Sequence, residues 1–351
     1  MAEPVTLEDV ARVSGVSPAA ASRALNGRGG VRPEVRDRVV AVADSLGYRP
    51  NRAARNLASG RSSIIGLVLP AEELWLDPYG AALIQMVAQA AHDLDQGLML
   101  VLGNHEPGVT VRHILRDGIL DGVIVSSIAL GEPWVDELLD SSIETLVVGT
   151  QLPRDDIHVV DVENLHSAAA AVDHLLDTGR TRVATITGPL DRHDAAQRLE
   201  GYRLAHQRRG LPVDEALVVP GDFDRHSGRL AVRTLAALAE PPDAVFAAND
   251  EMALGALREL EHLGLKVPDD VAVVGFDGTA GFDDASGANP PTADDVPVLT
   301  SVHQPFAELG RCAVASLLAL LDGQPVERVQ LLDPTLVVGR SSAHPASPVP
   351  P

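Results

Sequence analysis

Apolar positions recur along this chain of 351 residues in two rhythms, and the change between them falls near residue 62. From Leu7 to Leu46 the spacing is helical. Leu7, Val10 and Ala11 share one face of a first predicted helix that ends near Ser14, and a short second helix runs from Pro18 to about Leu25. Val35, Val39, Val42, Ala43 and Leu46 form the stripe of a third, from Pro33 to Leu46. The punctuation agrees with this reading. Thr6 with Asp9 makes a capping box in which Asp replaces the usual Glu. Gly15 supplies the positive φ of a tight turn, Ser17 caps the second helix, and Pro18 takes its first position, where a missing N–H costs nothing. Asn26-Gly27 ends the second helix and Gly47 the third.

From Ile64 onward the pattern changes to short apolar, β-branched runs alternating with helical stretches. IIGLVLP (64–70), LMLVLG (98–103), GVIVSS (122–127) and TLVVGT (145–150) read as buried strands, with helices near Tyr79–Leu94, Val111–Arg116 and Trp134–Leu139 between them. A second set follows: VATITG (183–188), ALVVPGDF (216–223), AVFAAND (244–250) and VAVVGFDG (271–278), with helices at Asn164–Thr178, Ala195–Arg209, Ser227–Leu238 and Met252–Leu263. TSVHQP (300–305), a helix at Phe306–Leu321 and a strand-like TLVVGR (335–340) complete it. The predicted fold class is α/β, with two successive doubly wound parallel sheets forming two lobes behind an N-terminal helical unit. Ligands of such bodies collect at the carboxyl ends of the strands.

Two helices joined by a short glycine turn form the helix-turn-helix unit that places its second helix in a DNA major groove. Spacing alone also fits any small three-helix bundle. Charge favours the DNA reading. The chain carries −21 overall, yet residues 1–61 hold ten Arg against six Asp/Glu, a surplus of +4, while the remainder carries −25. The basic surplus sits where phosphate contact is needed, and the acidic excess elsewhere aids solubility. One cysteine, Cys312, excludes an intramolecular disulfide and fits a reducing cytoplasm. There is no signal-peptide pattern and no run of 18 apolar residues, so neither secretion nor membrane insertion is expected. G-x-S-x-G, P-loop, H-E-x-x-H and metal-spaced Cys/His motifs are all missing from the sequence, and no nucleophile–base pair is visible. No catalytic residue, cofactor or metal is expected. A sugar-processing enzyme stays open only through an unmarked pair of cleft carboxylates.

TLEDVARVSGVS, SRALNG and LGYRPNRAARNLASGRSSIIGLVLP resemble the N-terminal region of LacI/GalR bacterial transcription regulators. VVDVEN, HLLDTGRTRVATITGP, QRLEGYR, FAANDEMALGALRELEHLGLKVPDDVAVVGFDG and SVHQPFAELGR extend the resemblance through the body, which is then periplasmic-binding-protein-like. The resemblance implies a helix-turn-helix DNA-binding domain (1–48), a hinge helix and linker (49–61), an effector-binding and dimerisation domain (62–340) and a disordered tail (341–351). Lobe one is expected at about 62–160 and 292–322, and lobe two at about 161–291 and 323–340. A tetramerising coil is not present, so a homodimer on a pseudo-palindromic operator is expected.

By the same resemblance, Thr6, Ser17, Pro18, Ala19, Ser22, Arg23, Asn26, Tyr48, Asn51 and Ala54 contact DNA, and Leu57 wedges into the minor groove. Arg23 suits a bidentate contact to guanine O6/N7, and a wedge at Leu57 unstacks and kinks one base step. Arg198, Asn249 and Asp277 are implied to bind the effector, Phe223 to offer a ring for stacking, and Asp77 and Tyr79 to face them from the first lobe. A guanidinium fork suits sugar hydroxyls and carboxylates equally. Arg198 also fits a surface ion pair, Phe223 fits a core position, and Asp250 reads as the N-cap of the helix beginning at Met252. Several positions depart from the family pattern: Ala20-Ala21 for Thr-Val, Arg32 for a capping serine, Glu163-Asn164 for Asp-Asn, and Gly278 for a second aspartate. A sugar is the expected effector, with a nucleobase, another metabolite or a corepressor-dependent response as alternatives.

Overall fold

The computed structural model describes residues 5–25, 30–48, 61–70, 78–103, 118–126, 128, 133–151, 154–280 and 298–343. Asn26, the hinge positions Asn51, Ala54 and Leu57, Asp77 and the helix expected near 111–116 lie outside the described residues. The chain divides into two compact units, Met1–Ser62 and Ser63–Pro351.

The first unit holds helices α1 (Leu7–Ser14), α2 (Pro18–Leu25) and α3 (Pro33–Leu46). The Thr6 side chain accepts from Asp9 N–H and the Asp9 carboxylate accepts from Thr6 N–H, so the capping box is complete. Gly15 and Gly47 end their helices in the left-handed conformation at φ 68° and 66°. Ser17 Oγ accepts from Ala20 N–H at 3.2 Å. Arg32, standing in for a capping serine, makes no side-chain cap bond, and Pro33 alone marks the start of α3. Val10, Ala11, Ala21, Ala24, Val39 and Ala43 form the core, with alanines at the α1–α2 contact allowing close approach.

The second unit contains two six-stranded sheets. Sheet one has the order β11-β5-β4-β3-β1-β2: β1 (Ile64–Pro70), β2 (Gly97–Gly103), β3 (Gly122–Ser126), β4 (Glu144–Val148), β5 (His158–Val162) and β11 (Val329–Leu332). Sheet two has the order β12-β10-β9-β8-β6-β7: β6 (Val183–Thr187), β7 (Val218–Pro220), β8 (Ala244–Ala247), β9 (Ala272–Asp277), β10 (Thr300–His303) and β12 (Thr335–Val337). Among the described residues only the β10–β12 pair is antiparallel. The helices around the sheets are α4 (Pro78–Asp93), α5 (Pro133–Leu139), α6 (Asn164–Asp177), α7 (His193–Arg208), α8 (Arg225–Ala236), α9 (Asp250–His262) and α10 (Phe306–Leu321). Central strands such as β3 are buried throughout, as parallel strands covered on both faces must be.

Among the described residues the chain passes between the sheets three times, and these crossings correct the expected lobe boundaries. Asp161 and Val162 pair with Leu331 and Leu332 in sheet one, so the first crossing follows Val162. Thr300–His303 was expected in lobe one, but it runs parallel to Val274–Asp277 in sheet two. Val329–Leu332 was expected in lobe two, but it pairs with Val159–Val162 in sheet one. The expected tail also begins too early. Ser341 and Ser342 are buried: Ser341 Oγ accepts from Thr300 N–H and donates to Val273 O, and Ser342 Oγ lies 2.7 Å from His174 Nε2. Polar Ser and Pro composition looked like disorder, yet the Ser341 hydroxyl here links the start of β10 to β9.

Candidate functional site

In the first unit, α2 buries Ala21 and Ala24 and leaves Pro18, Ala19 and Arg23 exposed. That exposed strip follows from helical periodicity: the residues flanking the alanine stripe must face away from α1 and α3. Ser17 beside it is exposed, and Ser22 and Tyr48 are half-buried, the tyrosine ring packing on the small core. Thr6 is exposed, with its hydroxyl engaged in the cap. The unit thus offers an exposed face of α2 carrying Arg23, beside an α1 whose two ends are capped by Thr6 and Gly15.

In the second unit, a cleft of about 520 Å³ opens at the carboxyl ends of the sheet-two strands. Tyr79, Arg192, Asp194, Arg198, Phe223 and Asp277 are among its lining residues. Arg198, on α7, is 3% exposed, and nearly every atom of its fork is accounted for. Nε donates to Asn164 Oδ1 at 3.0 Å, and Nη1 donates to Ala248 O at 2.6 Å and lies 3.1 Å from Asp277 Oδ1. The guanidinium carbon sits 3.8 Å from the Phe276 ring centroid. Asp277, at φ 107°, closes β9 in a conformation rare for a residue with a side chain. Its Oδ1 also accepts from Gln304 Nε2 at 2.8 Å. The ion pair and this hydrogen bond share one carboxylate oxygen, and among the described residues no hydrogen bond engages Asp277 Oδ2 or Arg198 Nη2.

The electrostatics are close to balanced. Burial pushes the Asp277 carboxyl up to about 7 against the pull of Arg198. Burial also raises Asp194, but Arg192 and Arg198 outweigh it and hold that carboxyl below its ordinary value. Burial raises the Tyr79 hydroxyl, and Asp277, Asp194 and Asp161 add to the effect. Arg192 and Arg198 are thus already matched by Asp194 and Asp277, so an anionic ligand gains little from these arginines.

Phe223 takes a left-handed backbone at φ 59°. Its ring is pressed against Gly188, where an added Cβ would come within 2.2 Å of ring carbon Cζ. The Arg192 guanidinium carbon lies 5.3 Å from the ring centroid. Asn249 fixes this loop: its Nδ2 donates to Phe223 O at 2.8 Å and its Oδ1 accepts from Met252 N–H at 2.9 Å. Asn249, not Asp250, is therefore the N-cap of α9, which begins two residues earlier than expected. Asp250 is fully buried and accepts from Thr279 N–H, Ala280 N–H and Ser301 Oγ, tying the loop after β9 to the helix start. Gly278, at φ 77°, has the His303 ring where a side chain would go, 2.6 Å from an ideal Cβ. That contact excludes the second aspartate usual in the resembling proteins.

Comparison with known proteins agrees with both halves. Residues 6–51 match the family description "Bacterial regulatory proteins, lacI family", and residues 172–342 match "Periplasmic binding protein-like domain". The chain is 36% identical over 344 residues to the HTH-type transcriptional regulator CelR of Thermobifida fusca, spanning 96% of this chain and 98% of that protein. The chain belongs to the LacI family.

Among solved structures, this LacI-family chain resembles a CelR–cellobiose complex (34% identity, TM-score 0.70, 96% of this chain and 99% of that one). It also resembles a lac repressor dimer bound to operator and the anti-inducer ONPF (28% identity, TM-score 0.73, 97% and 100%). Of the residues singled out from the sequence of this LacI-family protein, Tyr79, Arg198, Phe223, Asn249 and Asp277 all line one cleft. The sequence reading passed over Arg192, Asp194 and Gln304, and named Asn164 only within the Glu163-Asn164 departure from the family pattern. Arg192 and Asp194 follow directly on the carboxyl end of β6, where ligand contacts of open α/β sheets gather, and that position was the available signal. Among the described residues, no group of three or more His, Cys, Asp or Glu is placed to hold a metal ion, and no helix is long and apolar enough to cross a membrane.

Proposed function

We propose that this protein is a sequence-specific transcription regulator, a repressor of carbohydrate-utilisation genes, that binds a pseudo-palindromic operator as a homodimer and responds to an uncharged sugar in the cleft. It acts in the cytoplasm and carries no catalytic activity. The observation that carries the effector reading is the half-used pair Arg198–Asp277. Nη1 lies against Oδ1, and neither the donor Nη2 nor the acceptor Oδ2 is engaged by a hydrogen bond among the described residues. Neighbouring hydroxyls of a sugar supply the matching acceptor and donor, and the Phe223 ring offers the apolar sugar face a surface. A phosphorylated or carboxylated ligand would compete with Asp277 and Asp194 for the same arginines. The relative crystallised with cellobiose supports the size and chemistry of this ligand.

In the first unit the reading assigns Pro18, Ala19 and Arg23 to base edges, and Thr6, Ser17, Ser22 and Tyr48 to phosphate and sugar positions. Sugar binding changes DNA affinity through its different affinity for two arrangements of the body. The test is selection of bound sequences from random duplex DNA at stated salt, followed by rebinding with cellobiose present. A pseudo-palindrome whose affinity moves with cellobiose or another uncharged sugar supports the reading; recovery of random sequence contradicts it.

A further inference from the structure

Asp161 is a polar residue in a place made for an apolar one. It sits inside β5 between Val160 and Val162, is 1% exposed, and faces Leu331 across the ladder to β11. Its Oδ1 accepts from Val162 N–H at 2.7 Å and from Asn164 Nδ2 at 3.3 Å. Its Oδ2 is buried, and no donor among the described residues reaches it. A half-answered buried carboxyl is costly, and a valine or leucine would serve the sheet better. Its placement makes sense through Asn164. That side chain is 3% exposed and turned one way only: Nδ2 points to Asp161 Oδ1 and Val162 O, and Oδ1 receives Arg198 Nε. Turning the amide over would set its oxygen against two acceptors and its NH₂ against the guanidinium.

We propose that Asp161 is a positioning residue of the cleft, which holds Arg198 toward the effector through Asn164. This rests on the reading of the cleft as the effector site. The chain of contacts begins on the last strand before the first crossing between sheets and ends at the arginine beside Asp277, so it joins the crossing to the ligand. The groups facing Asp161 are Asp194 and Arg198 from α7 and Tyr79 from α4. The paired position in β11 is Leu331, and Val160 beside Asp161 lies opposite Val148 in β4, so neither neighbouring strand brings a titratable group at these positions. Burial, with Asp194 adding to it, pushes the Asp161 carboxyl up to about 7. Ionisation above that value strengthens the bond from Asn164 Nδ2 and polarises the Asn164–Arg198 bond in turn. The placement of Arg198 is therefore proton-linked.

The experiment follows the Arg198 Nε–H resonance in the full chain labelled with ¹⁵N-arginine, assigned by its loss in Arg198→Lys. The expected result is a shift with pH centred near 7 in the wild type that shrinks by roughly half or more in Asp161→Asn and persists in Asp277→Asn. An Asp161→Asn protein that titrates like the wild type overturns the proposal. If Asp161→Asn fails to fold, Asn164→Ala takes its place, because it cuts the connection with the carboxyl intact; an unchanged titration in that variant overturns the proposal equally. Cellobiose and ribose added to the same samples separate the two readings. A proton-linked Arg198 that no uncharged sugar moves keeps the Asp161 connection and refutes the effector assignment of the cleft.

Discussion

Arg198 Nη1 lies 3.1 Å from Asp277 Oδ1, and among the described residues no hydrogen bond engages Arg198 Nη2 or Asp277 Oδ2. A pair built only for stability would engage both ends of the fork. The open half is what a polyol would use. Asp277→Asn keeps the shape and removes the charge that orients Arg198, so it should weaken sugar binding by about 1–3 kcal/mol, read by titration calorimetry. DNA binding without sugar should be unchanged.

Gly188 and Phe223 supply a second test. No side chain fits at Gly188, because the ring of Phe223 occupies that space at 2.2 Å from an ideal Cβ. Gly188→Ala should therefore displace the ring and lower sugar affinity at least as much as Phe223→Leu, while both proteins still unfold cooperatively. Equal affinity in Gly188→Ala would remove the stacking role.

Stability should fall as pH rises from about 4 to about 7. Asp161 and Asp277 both have carboxyls raised from 3.8 to about 7 in the folded chain, and Asp250 to about 6. Between about pH 4 and 7 the folded state then binds more protons than the unfolded one, so these groups favour folding most at the acidic end and contribute least above pH 7. Asp161→Asn mimics the neutral form. It should raise the unfolding midpoint at pH 8 by roughly 2–4 °C and leave it unchanged near pH 4. A midpoint gain independent of pH would contradict the assignment.

The DNA-reading unit separates folding from recognition. Thr6→Ala breaks the capping box and should cost about 1 kcal/mol of that unit's stability. Arg23→Ala should leave stability alone, cost about 1–3 kcal/mol in operator binding and relax selectivity at one base pair. Binding measured against a panel of single-base operator variants distinguishes the two.

Much of this was legible in the residues themselves. The capping box at Thr6, the glycine stops at Gly15 and Gly47, and the alanine stripe of α2 are local signals that tertiary structure did not override. Strand β5 was harder to see because Asp161 interrupts its apolar run, and that interruption is where the functional interest lies. Strand β11, VQLL, is short and half-exposed at a sheet edge, so its period-2 signal is weak. The three crossings place TSVH and VQLL in the sheets opposite to those expected, and strand pairing between distant segments leaves no mark in local periodicity. In the cleft, the arginine, asparagine, aromatic and aspartate came from motif matches. Gln304 was missed, and the bond from Arg198 to Asn164 was not foreseen, because those partners are distant in sequence and close only in the fold.

The most direct test is operator binding by the full chain and by Arg198→Ala at one fixed salt concentration, on a duplex selected from random DNA, with cellobiose or another uncharged sugar added stepwise. Both proteins should bind the selected duplex equally in the absence of sugar. The wild type should then change its operator affinity by about tenfold or more on adding the sugar, a coupling of about 1.4 kcal/mol, and Arg198→Ala should not respond. An Arg198→Ala protein that responds like the wild type would contradict the assignment of the cleft.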